Sequence, residues 1–94
     1  MTEPMRKNTD QVLDVIKQIL SPYLGRLMAS TAAAAHCRDL GIDDTVMEPR
    51  EVDNLLHKLH LGLVIFLGKE KTSQVVAAMR QEIATLRDTS EMPL

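Results

Sequence analysis

Aromatic side chains are almost missing from this sequence. Among 94 residues there is no tryptophan, and Tyr23 and Phe66 are the only rings. A core must therefore be assembled from Leu, Val, Ile, Met and Ala, a palette that suits helices better than a sheet. Cysteine is scarce too. Cys37 stands alone, which excludes an internal disulfide and a multi-cysteine zinc site and agrees with a reducing compartment. Charge of one sign is lacking, with 11 basic against 13 acidic residues and a formal charge of −2. Such a balance gives no field to steer nucleic acid or anionic lipid. No uncharged apolar run approaches the roughly 18 residues of a membrane span. The opening MTEPMRKNTD carries no apolar stretch of a signal peptide. The expectation is a cytoplasmic protein that engages neither nucleic acid nor membrane.

What is present centres on Glu51–Gly68, EVDNLLHKLHLGLVIFLG, the most hydrophobic segment of the chain. Val52, Leu55, Leu56, Leu59, Leu63 and Phe66 follow the 3-4 spacing of one helix face. Pro49 suits the first helical positions and Gly68 suits the end. From Leu61 to Leu67 only Gly62 interrupts the apolar residues, which implies burial on all sides, by the chain or by another molecule. A buried strand over Leu63–Leu67 is the rival reading. The unbroken helical phase from Val52, and the lack of a second strand to pair with, favour the helix.

Elsewhere the chain alternates helix patterns with short punctuation. Residues 1–7 read as a flexible leader. Asn8 is a candidate N-cap with Gln11 three residues on, and Val12, Leu13, Ile16, Ile19 and Leu20 form an apolar stripe. Ser21 and Pro22 either start a new helix or lie within one long kinked helix, and the phase does not separate the two. The next stretch runs from Pro22 to about Leu40, with Gly41 as terminator. Gly25, Ala29 and Ala33 recur four apart in it, beside Ala32, Ala34 and Ala35. Small residues at that spacing let helix backbones approach closely, within one chain or across a dimer. Gly41–Met47 reads as a loop, with the central helix starting at Thr45 or Glu48. After Gly68 and KEKTS comes a last helix with Val75, Val76, Met79, Ile83 and Leu86 inward. Residues 88–94 read as a flexible tail, leaving one domain over 8–87. No internal repeat is evident.

Four short patterns bear on chemistry. The segment His57-Lys58-Leu59-His60-Leu61-Gly62 resembles, over six residues, the H-x-L-K-G pattern of histidine phosphotransfer domains, small bundles whose helix carries a phospho-accepting histidine. The resemblance rests on His57 and Leu59 and implies His57 as acceptor. The places of Lys and Gly hold His60 and Leu61, so the cation that would favour an incoming phosphoryl group one turn away is absent. His57 and His60 share a helix face and could join His36 and Cys37 on a metal, but neither a Glu-x-x-His pair nor a cysteine pair accompanies them. Gly62 to Gly68-Lys69 fails as a phosphate loop, because Glu70 stands where Ser or Thr must bind magnesium and LVIFL fills its interior. A DNA-binding helix-turn-helix is opposed by the long loop and by Glu48, Glu51 and Asp53 on the helix that would meet phosphate.

These observations converge on an all-α bundle of three to four helices, non-enzymatic, without cofactor or metal, assembling as a homodimer or with another protein. The candidate interface is the small-residue face (Gly25, Ala29, Ala32, Ala33) with the second half of the central helix (Leu61, Leu63, Val64, Phe66, Leu67). The alternatives are a phosphotransfer-like signalling module centred on His57 and a small metal- or DNA-binding helical protein.

Overall fold

A computed structural model describes residues 6–86. Of the leader expected at residues 1–7, residues 1–5 lie outside that range, as does the tail expected at 88–94. Lys7 is not part of a flexible leader: it is buried and belongs to a short strand. Four helices dominate: α1 (Thr9–Leu24), α2 (Arg26–Asp39), α3 (Pro49–Leu67) and α4 (Lys69–Ala84). Two short strands, β1 (Lys7–Asn8) and β2 (Val46–Met47), precede α1 and α3 and pair antiparallel, Lys7 with Met47 and Asn8 with Val46. The all-α bundle follows from the apolar phases, and LVIFL is helical. The strand pair was not legible, since two residues carry no alternation.

The first helix opens as its sequence requires. Asn8 Oδ1 accepts from Gln11 N–H at 3.1 Å. Val12, Ile16 and Leu20 are fully buried, while Leu13 and Ile19 pack partly buried beside them. Pro22 neither starts a helix nor ends one. It sits in the last turn of α1, where Ser21 Oγ donates to the Lys17 carbonyl at 2.6 Å. The break falls three residues later. Gly25 adopts φ 87°, ψ 155°, a region open essentially only to glycine, and α2 begins at the next residue. Gly25 is therefore a corner, not the first step of a small-residue helix face.

The third helix repeats this design. Its start is tied by Glu51, whose carboxylate accepts from Glu48 N–H at 2.9 Å. Its end is Gly68, at φ 83°, ψ 165°, with α4 starting directly at Lys69. KEKTS is thus helical and not a loop, because the glycine alone makes the turn.

The two corners share a sequence as well as a geometry. Tyr23-Leu24-Gly25-Arg26 matches Phe66-Leu67-Gly68-Lys69, and in the same register Leu13, Ile16 and Leu20 match Leu56, Leu59 and Leu63. The neighbour relations are unchanged when the halves are exchanged: α1 packs on α2 as α3 packs on α4, and α1 meets α4 as α2 meets α3. The chain is an internal repeat of strand, helix, glycine corner, helix. The sequence hid it because apolar helices resemble one another and because α3 is longer than α1.

The ends of the bundle differ in chemistry. At the strand end, Thr9 N–H donates to Thr45 O at 3.0 Å, Thr9 Oγ1 to Asp43 O at 2.7 Å, and Lys7 Nζ to Leu86 O at 2.6 Å. At the corner end the exposed side chains include Tyr23, Leu27, Met28, Leu61, Ile65 and Phe66, beside the charged Arg26, Lys69, Glu70 and Lys71.

Candidate functional site: the corner end and the groove between α2 and α3

Each interface residue expected from sequence now has a place. Ala29 and Ala33 are buried to 0% and 1% exposure, alongside Cys37, in the core that α2 shares with α1. The close approach of small residues is made inside the chain. Ala32 is half-buried one step around the helix, and Gly25 is exposed at the corner. On α3, Leu63 is buried, Val64 and Leu67 are half-buried, and Phe66 is 69% exposed. Leu61 is exposed as well, and Ile65, which the sequence reading did not single out, is 82% exposed. The expected burial of residues 61–67 on all sides does not occur within one chain. Across the corner, Leu27 is 80% exposed, with Met28 and Tyr23 less so. The signal for Ile65 and Leu27 was available: each lies opposite its helix's buried stripe, which requires the stripe and not merely the hydropathy to be read.

A groove of about 120 Å³ runs between α2 and α3, lined by Leu20, Leu24, Met28, Ala32, His36, Leu59, Gly62, Leu63 and Phe66. The internal repeat explains why it is open. In the equivalent junction between α1 and α4, the counterparts of Ala32 and Gly62 are Val75 and Ile19. Val75 is buried there and Ile19 packs partly buried on the core. A Cβ placed on Gly62 would meet nothing within 4 Å. The counterparts of Met28 and Phe66 are Lys71 and Tyr23, and Lys71 Nζ lies 5.6 Å from the Tyr23 ring centroid, a cation–π contact that caps the α1–α4 side.

Electrostatics around the groove are sparse. His36 lines one end with its Nδ1 buried and making no hydrogen bond. Burial first, and then the charge of Lys58, hold its pKa below the ordinary imidazole value, against an opposing pull from Asp39. Cys37 faces a different cleft of about 420 Å³, with Thr9, Asp10, Arg38 and Asp44. Burial, then Asp44 and Glu51, push its thiol pKa up, the opposite of what a nucleophilic cysteine needs.

The histidines expected to share chemistry lie in differing surroundings. His57 is exposed, His60 is half-buried on α3, and His36 belongs to α2. One turn from His57 stands Asp53, whose carboxylate pairs with Arg80 of α4. Among the described residues no group of three His, Cys, Asp or Glu side chains is placed to hold a metal ion. No described helix is long and apolar enough to cross a membrane.

The chain matches no protein-family model, no curated protein and no solved structure.

Proposed function

We propose that this chain is a non-catalytic protein-interaction module that assembles with a second copy of itself through its corner end. The observation that carries this reading is the concentration of Leu27, Met28, Leu61, Ile65 and Phe66 as exposed side chains at one end of the bundle. Monomeric soluble proteins rarely display contiguous apolar patches of that kind. The chain is also short enough that association is a common supplement to its core. Light scattering across a dilution series tests the proposal. The expected result is a dimer mass that falls toward the monomer on dilution. A monomer mass at every concentration, up to the millimolar range, contradicts it.

A further inference from the structure

We infer that the second copy docks by laying its α3 antiparallel against this α3, with Ile65 of each copy seated over Gly62 of the other in the groove beside Ala32. The inference rests on the self-association reading above and names its contact. Three observations support it. First, the groove lies where the other junction of the repeat holds aliphatic side chains. The α1–α4 junction is filled by Ile19 and Val75, whereas the α2–α3 junction offers only Gly62 and Ala32 at those places. Its volume of about 120 Å³ is of the scale of a cavity that admits a benzene-sized group.

Second, the side chain that would fill it stands beside it. Ile65 is the most exposed large hydrophobic residue among those described, one turn from Gly62 on the same helix. In a two-fold interface residue i meets j while j meets i. An antiparallel pair of α3 helices crossing near Leu63–Val64 places Ile65 on Gly62 twice and Leu61 against Phe66 twice. Glycine at the crossing lets the backbones come close.

Third, the area is sufficient. With 150–250 Å² for a whole aromatic side chain and somewhat less for an aliphatic one, the exposed fractions of Leu27, Met28, Leu61, Ile65 and Phe66 amount to on the order of 600 Å², the low end of what a specific interface takes from each partner. A standard interface takes about 800 Å² from each partner.

Sedimentation velocity on the full chain, with thermal unfolding in parallel, decides the matter. Gly62→Leu fills the groove at a position where a side chain has free space, and it replaces glycine inside a helix by a strong helix former. The expected result is a monomer whose melting temperature, at concentrations where the parent chain is also monomeric, is not lowered. Ile65→Asp, at an exposed position, is expected to be monomeric as well. If the parent chain dimerises and either variant dimerises with undiminished affinity, the Ile65–Gly62 contact is wrong while self-association stands. If the parent chain is monomeric throughout, both fall together.

Discussion

At the scale of single residues, His36 shows how the groove alters a side chain that lines it. Its Nδ1 is buried without a hydrogen bond, and its pKa is depressed by burial and by Lys58. The sign of the pH effect follows. The neutral form is favoured in the folded chain, so the unfolded chain binds a proton at higher pH than the folded one does. Stability is whole above the unfolded imidazole value and is lost as pH falls through the folded one. Urea unfolding at about pH 7 and about pH 5 is expected to show a larger loss for the parent chain than for His36→Gln. Equal losses would remove His36 from the account. Cys37 belongs to the same scale: buried on the side of α2 that meets α1, with its thiol held protonated, it is part of the packing.

Among the elements, the glycine corners determine the architecture. A helix ending at Gly25 or Gly68 restarts at the very next residue, because positive φ with extended ψ redirects the chain in one step. Gly25→Ala and Gly68→Ala are each expected to destabilise by about 1–3 kcal/mol through backbone strain alone, since an added Cβ meets no neighbour at either site. Denaturant unfolding measures this, and a loss under about 0.5 kcal/mol at both would contradict it. This is also where sequence reading reached its limit. The stripe Val52, Leu55, Leu56, Leu59, Leu63 revealed α3, and Val75, Val76, Met79, Ile83 revealed α4, because periodic apolar burial is a local signal. The corner at Gly25 was obscured by Pro22, the stronger formal breaker, which the last turn of α1 accommodates with Ser21 bonded back to Lys17. Glycine's φ is set by tertiary packing, and only the match of Tyr23-Leu24-Gly25-Arg26 to Phe66-Leu67-Gly68-Lys69 distinguishes Gly25 in a corner from Gly62 within a helix.

For the molecule as a whole, the repeat yields two junctions of unequal filling. Ile19 and Val75 occupy the one between α1 and α4, and Gly62 and Ala32 leave the one between α2 and α3 open. Composition and hydropathy pointed to an apolar surplus in residues 61–67, yet which of those side chains lie outward depended on how α2 and α3 sit together. This open side of the corner end is where we propose that the chain meets its second copy. Backbone amide chemical shifts followed by NMR over a concentration series test it most directly. Concentration-dependent shifts are expected at Met28–Ala32 and Leu61–Phe66, with the strand end around Thr9, Asp43 and Thr45 unchanged. Shifts centred on the strand end, or none anywhere, would contradict it.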